Sequence, residues 1–394
     1  MDEPGKKPHP KRKLILWSIT LFFTVIAIGW VFYYLMWGRF DEYTDDAYVS
    51  GNLIYVTPQV EGIITKIYAD DTLCVQKGEV LIELDPVDLK IALEKSKASL
   101  AESVRKVAAL FAEGSQKKAS IAIAKAKFIK DAEDFERRSL LVDSGSVSKE
   151  DLSHAEAALS SSYFSLIVNE QSYFSVLAQV ENTEIPTHPF VRTAAAEMKE
   201  AWVRLRRAVI KAPAAGLVAQ RSAQTGERVN PAQPLLAVVP LDQIWVDANF
   251  KEDQLGKMRI GQKAKIRTDI YGRSVVYTGH VVGIGAGTGS VFSLLPPQNA
   301  TGNWIKIVQR IPVRIALDEE EITNHPLRIG LSMKVHVDIR KPEEDCAEGI
   351  ARGVPIYATD IFGDEEDGVQ EEIDAVIQNN LPTFTSKLQS EANS

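Results

Sequence analysis

The chain has 394 residues, 25% of them charged and 45% hydrophobic, with a formal net charge of −8. That length has room for two or three domains, and so ordinary an average decides little. The distribution of charge says more. Residues 1–13 carry five Lys/Arg against two acidic groups, a net of +3, while the segment from Pro342 onward carries 13 Asp/Glu against two Lys/Arg, a net of −11. The 328 residues between are therefore near neutral, and no broad basic face for nucleic acid is visible. The two cysteines, Cys74 and Cys346, are too few for a disulfide scaffold and lack metal-site spacing. They could bridge in an oxidising compartment, but independent thiols are the simpler reading.

After the basic stub, Leu14 to Trp37 is a 24-residue run without a charged side chain. It is long enough to cross a hydrocarbon core of about 30 Å. Trp30, Tyr33, Tyr34 and Trp37 cluster at its far end like an interfacial aromatic belt. A cleaved signal peptide would have a shorter apolar region and a small-residue cleavage site, both missing here. Lys6, Lys7, Lys11, Arg12 and Lys13 precede the run, and Asp41, Glu42, Asp45 and Asp46 follow it. The positive-inside rule then places the N-terminus in the cytoplasm and the bulk of the chain across the membrane.

Two short β-rich stretches, 53–86 and 208–240, match each other at a constant offset of 154 residues. Gly62 falls on Gly216, Ile63 on Leu217, Ile64 on Val218, Val75 on Val229, Gly78 on Ala232, Leu81 on Leu235 and Pro86 on Pro240. This is an internal repeat of strands punctuated by Gly and Pro. Neither half could bury a core alone, so the two are expected to form one small β-domain.

The segment between them, 87–207, reads as a long helical hairpin. Leu93, Leu100, Val107, Gly114, Ile121, Phe128, Phe135 and Val142 recur every seven residues, a coiled-coil seam with Gly114 as its one lapse. The return arm repeats the pattern at Leu152, Leu159, Leu166, Tyr173 and Val180. After a break at Pro186 and Pro189 it resumes through Val191, Ala195, Met198, Trp202, Leu205 and Val209. At the tip, Gly145 ends one helix, and Ser148 with Asp151 resembles a capping box that starts the next. An extended two-stranded rod fits this better than a globular bundle.

Residues 241–341 read as regular short strands, a small barrel or sandwich to which residues 41–52 could add a strand. The acidic tail, 342–394, is mostly aperiodic and is expected to be largely disordered, although Val369, Ile373 and Ile377 could support one short helix.

No catalytic constellation stands out. His9, His154, His188, His280, His325 and His336 have no ligand spacing with Cys or carboxylates, and no metal or cofactor is implied. The glycines of GIGAGTGS (283–290) are followed by no helix and read as a barrel loop rather than a phosphate cradle. Lys117, Lys118, Lys125, Lys127 and Lys130 read as a solvated helix face. Two β-halves around a turn also describe biotin- and lipoyl-carrier domains, but the carrier lysine belongs at a turn that the hairpin replaces here. The nearest lysine, Lys90, lies in a predicted helix, and the carrier reading is rejected.

The order of stub, anchor, half β-domain, hairpin, second half and barrel resembles the HlyD-type periplasmic adaptor, or membrane-fusion, proteins. TDDAYVSGN, PQVEGIITKIYADD, LIELDP, WVDANFKEDQL and LLPPQNATGNWIKIVQRIPVRI look most like the EmrA-like multidrug efflux branch, over about residues 40–340. The tail departs from that pattern. The resemblance implies an α+β, membrane-anchored fold: one transmembrane helix (14–37), a split lipoyl/biotinyl-like domain with an inserted coiled-coil hairpin, then a β-barrel. It implies a non-enzymatic adaptor, anchored in the bacterial inner membrane. Its expected partners are a proton-driven major-facilitator drug transporter, a TolC-like outer-membrane channel and copies of itself in a trimer or hexamer. Adaptors that dock such channels are similar in carrying Arg-x3-Leu-x6-Ser near the tip, and Arg137, Leu141 and Ser148 fit that spacing. An adaptor of an ABC-type protein exporter, or a structural envelope tether, remain the alternatives.

Overall fold

The computed structural model describes residues 10–36, 38–143, 145–272, 274–289, 291, 308–340 and 355–382. Helix α1 (Pro10–Met36) comes first, and every side chain from Ile15 to Tyr33 is exposed. Among the described residues it is the one helix long and apolar enough to cross a membrane. A single turn, Gly38–Phe40, separates it from strand β1 (Asp41–Gly51).

That strand does not join the β-domain that follows it in sequence. It closes a six-stranded barrel with β10 (Ile244–Lys251), β11 (Lys263–Thr268), β12 (Tyr277–Ile284), β13 (Arg310–Leu317) and β14 (Ser332–Asp338). The order around the barrel is β1-β10-β13-β12-β11-β14. Alternation along β10 turns Ile244, Val246, Ala248 and Phe250 inward, where they meet Ile266, Val281, Ile315 and Val335. Tyr277 is fully buried among them, and its hydroxyl donates to the His325 carbonyl at 2.9 Å. The last part of LLPPQNATGNWIKIVQRIPVRI builds β13; residues 292–307 lie outside the described residues.

The β-domain has eight strands from the two repeat halves. The first half gives β2 (Ile54–Val56), β3 (Gly62–Ile67), β4 (Cys74–Val75) and β5 (Val80–Leu84). The second gives β6 (Val209–Lys211), β7 (Gly216–Ala219), β8 (Arg228–Val229) and β9 (Leu236–Val239). They form two sheets, β2-β9-β7-β4 and β6-β5-β3-β8, so each sheet draws strands from both halves. The pairing is pseudo-symmetric: Gly62 lies opposite Val229 in one sheet, and the repeat-equivalent Gly216 lies opposite Val75 in the other. One core, including Ile64, Leu81, Leu84, Val218, Leu235 and Val238, is shared between them. Exchange of strands makes either half unable to fold without the other, which ties together the two ends of the hairpin between them.

The hairpin runs out through α2 (Val87–Val142), 56 residues or roughly 84 Å, and returns through α3 (Lys149–Val180) and α4 (Pro189–Arg206). Its packing is uneven. At the root Leu93, Leu100, Val104 and Val107 are buried against Val191, Ala194 and Met198. Farther out the seam thins to contacts such as Phe128 with Tyr163, whose ring centroids lie 5.9 Å apart. The break between α3 and α4 is locked by His188, which is 3% exposed. Its Nδ1 accepts from the Phe190 N–H at 3.2 Å, capping α4, and this leaves Nε2 to donate to the Gln179 carbonyl at 3.0 Å.

The acidic tail differs from expectation. Residues 355–382 lie on the molecule, and helix α6 (Val369–Asn380) packs on the hairpin root, α5 being a short helix (Glu319–Asn324) beside the barrel. Val369, Ile373 and Ile377, four residues apart, are 3%, 4% and 7% exposed. Burying each contributes about 1.5–3 kcal/mol. The tail's acidic mean composition points to disorder, while the spacing of these three apolar residues, the basis for expecting one short helix, marks the helix that forms. Residues 341–354 and 383–394, with Cys346, lie outside the described residues.

Candidate docking site at the hairpin tip

The tip is the part of the chain farthest along the hairpin from both β-domains. Helix α2 ends at Val142, and the Gly145 N–H bonds back to the Val142 carbonyl at 3.0 Å. Gly145 adopts φ 71°, the left-handed conformation that favours glycine, so the chain reverses within the few residues before Ser148.

Ser148 caps α3. Its Oγ accepts from the Asp151 N–H at 3.0 Å and donates to the Asp151 carboxylate at 2.6 Å. That hydroxyl, with help from the Ser148 backbone N–H, holds the Asp151 carboxyl below its usual range. The one hydroxyl donor of Ser148 is thereby committed inside the turn.

Arg137 and Leu141, one helical turn apart, line one shallow depression of about 330 Å³ with Glu133, Glu136 and Leu140; Ser148 is not part of it. Leu141 is 42% exposed and Leu140 75%, an apolar pair presented to solvent at a rod's end. Arg137 is anchored from below by Asp134 at 2.5 Å, which also takes Arg138 at 2.9 Å. The Arg137 guanidinium keeps the Asp134 carboxyl low. A guanidinium has five N–H donors, so this anchor leaves Arg137 able to give more. The arrangement suits recognition by one apolar plug beside one oriented cation. Asp134 and Leu140 were missed in the sequence reading; the acid–base spacing of three and four residues on one helix was the signal for the first.

Elsewhere, no group of His, Cys, Asp and Glu among the described residues is placed to hold a metal ion. His336 Nδ1 meets Asp41 at 2.9 Å on the barrel surface, and His154 lies 3.8 Å from Glu150 on α3. Gly283 is the seventh residue of β12, and the glycines after it follow a strand with no helix adjoining among the described residues. Cys74 is exposed and free.

Comparison with known proteins matches residues 87–208 to the alpha-helical hairpin domain of EMRA and residues 243–338 to an AAEA-like beta-barrel domain. The multidrug export protein EmrA of Escherichia coli (strain K12) is 45% identical over 331 residues, 84% of each chain. The probable multidrug resistance protein EmrK of the same strain is 45% identical over 342 residues, 86% of this chain and 88% of that one. The fatty acid resistance protein FarA of Neisseria gonorrhoeae is 46% identical over 331 residues, 83% of this chain and 84% of that one.

Proposed function

The chain belongs to the EmrA-type family of membrane-fusion, or periplasmic adaptor, proteins of multidrug export, and from that premise we propose that it bridges two membranes. In this reading it joins a proton-driven major-facilitator drug transporter in the inner membrane to a TolC-like channel in the outer membrane. Helix α1 anchors it, with the N-terminus in the cytoplasm and the barrel, β-domain and hairpin in the periplasm. Copies assemble as a trimeric or hexameric ring, since a sleeve that seals a channel needs closed symmetry.

The observation that carries this reading is the hairpin itself: a rod of roughly 84 Å, rooted in a β-domain and ending in an exposed Leu140–Leu141 pair beside Arg137. A rod with an apolar end is built for reach and contact, not for enclosing a substrate. Arg137 and Leu141 are the docking residues, and Ser148 contributes chiefly by holding the turn.

The test is Leu141→Asp. Residue 141 is far from both β-domain cores, so the variant folds and reaches the membrane at normal levels. A carboxylate at an apolar anchor must be desolvated without a partner, and docking fails. Drug susceptibility in an efflux-deficient host should rise to the level of the empty vector, with cross-linking to the channel lost. Normal resistance with normal cross-linking would sink the assignment of the tip as the docking end.

A further inference from the structure

The C-terminal segment sits where the hairpin leaves the β-domain, and its contacts fall on both. Its apolar face, Val369, Ile373 and Ile377, completes the buried cluster formed by Leu93, Leu100 and Val104 of α2 and Ala194 and Met198 of α4. Its acidic face meets a ladder of five cations spread over the hairpin root and the β-domain. Glu372 reaches Lys97 of α2 at 2.8 Å, and Glu366 reaches Lys199 of α4 at 2.6 Å. Glu365 reaches Arg207, the residue after α4, at 2.9 Å, and Asp364 reaches Lys211 of β6 at 2.9 Å. Asp360 reaches Lys77, in the turn between β4 and β5, at 2.6 Å. Two bonds to backbone extend the same line: Arg206 donates to the Asp367 carbonyl at 3.2 Å, and Thr359 Oγ1 donates to the Pro213 carbonyl at 2.9 Å.

The hairpin is joined to the β-domain by two single crossings of the chain, at Asp85–Pro86 and at Arg207–Ala208. Two adjacent crossings make a hinge. The tail is a third connection across it, with Asp360 and Asp364 on the β-domain side and Glu366 and Glu372 on the hairpin side. We propose that the hairpin root is a docking groove for an acidic amphipathic helix, that its occupant is this protein's own segment 355–382, and that the docked segment is a releasable strap fixing the hairpin's angle on the β-domain. The proposal does not depend on which transporter or channel the protein serves.

Three features make the strap releasable. Most of its ion pairs are on the surface, the side chains of Asp360, Glu366 and Asp364 being 85%, 61% and 52% exposed, so salt screens them; Glu365, 14% exposed against Arg207, is the more enclosed exception. The apolar anchor is only three buried side chains on 12 helical residues. The seat also has a cost: the Trp202 indole N–H, at the helix start, is buried with no acceptor among the described residues.

The test uses the full chain in detergent micelles. Amide hydrogen exchange over residues 369–380 is read at 0.1 M and 1 M NaCl, where the screening length falls from about 10 Å to about 3 Å. High salt favours apolar contact, so a loss of protection at 1 M isolates the ionic contribution. The expected result is protection at 0.1 M that drops at least fivefold at 1 M. It should drop likewise at 0.1 M in the triple variant Glu365→Lys, Glu366→Lys, Glu372→Lys. Pairing Lys97→Glu with Glu372→Lys should keep the wild-type protection that either single reversal reduces. Ile373→Asp should free α6 at either salt while residues 93–107 keep their protection. Spin labels at Ser161→Cys and Thr225→Cys, with Cys74→Ser and Cys346→Ser, should give a distance distribution that broadens whenever α6 is freed. Unprotected α6 amides at 0.1 M would overturn the docking. Protection indifferent to salt and to charge reversal would overturn the release, and an unchanged distance distribution on release would overturn the strap.

Discussion

Gly216 packs against Val239 so closely that a Cβ on residue 216 would lie 2.3 Å from the Val239 carbonyl oxygen. Its repeat equivalent, Gly62, is looser: a Cβ there would meet the Leu84 side chain at 3.2 Å. A 3.2 Å approach to the Leu84 Cβ is relieved by a shift of a few tenths of an ångström, whereas a 2.3 Å approach to a carbonyl held in the β7–β9 pairing is not. Gly216→Ala should therefore destabilise the β-domain by roughly 3 kcal/mol and Gly62→Ala by less than about 1 kcal/mol. Local opening of β7 and β3, measured by hydrogen exchange, checks the asymmetry; equal effects would contradict it.

The repeat also pairs its unusual backbone conformations. Thr72 (φ 72°) corresponds to Gly226 (φ 86°), and Gly78 (φ 81°) corresponds to Ala232 (φ 68°). Each half thus keeps the same two left-handed turns but places glycine at a different one. Ala232→Gly should stabilise the domain by about 0.5–1 kcal/mol, because relief of the L-residue penalty outweighs the added freedom of the unfolded chain. Gly78→Ala should cost about 1 kcal/mol, wholly conformational, since nothing lies within 4 Å of the added methyl. Thermal unfolding of the two variants side by side decides it.

Burial pushes the Tyr277 hydroxyl from its ordinary 10.0 up to about 12. The native state therefore holds this proton more tightly than the unfolded chain. The stability involved, roughly 2–3 kcal/mol, is fully present below pH 10 and is lost as pH rises through 12. Tyr277→Phe should lower barrel stability at neutral pH by about 1 kcal/mol, the hydrogen bond to the His325 carbonyl being lost. It should also flatten the decline between pH 10 and 12. Parallel alkaline unfolding curves for the variant and the parent protein would contradict this.

Gly114 interrupts the hairpin seam, and a Cβ there would meet nothing closer than Val176 Cγ1 at 3.7 Å. Gly114→Ala should fit without strain and stabilise α2 by about 1 kcal/mol through helix propensity. Slower exchange of the amides around residue 114 is the expected readout; faster exchange would mean that the gap serves a bend.

Much of the architecture was legible because periodicity reports it directly. Seven-residue spacing from Leu93 marked the rod, the 154-residue offset marked the paired half-domains, and the charge-free run from Leu14 marked the long apolar helix α1. At the tip, the spacing of Arg137, Leu141 and Ser148 singles out three docking candidates, but spacing cannot say that the Ser148 hydroxyl is spent on Asp151 or that Asp134 steadies Arg137. Those depend on rotamers.

What the sequence determined by itself are the elements and their order, since amphipathic period, turn residues and apolar length are local properties of the chain. Only the tertiary structure decided how distant elements combine. It exchanged strands between the two repeat halves, set the register by which β1 closes the barrel expected to take it, and laid an acidic tail on a basic hairpin root. Each is a contact between residues far apart in sequence, stabilised by buried area and charge complementarity that exist only once the surfaces are assembled. A tail judged by its own composition reads as disordered; judged with Leu100, Met198, Lys97 and Arg207 beneath it, it is the third helix of the hairpin's base.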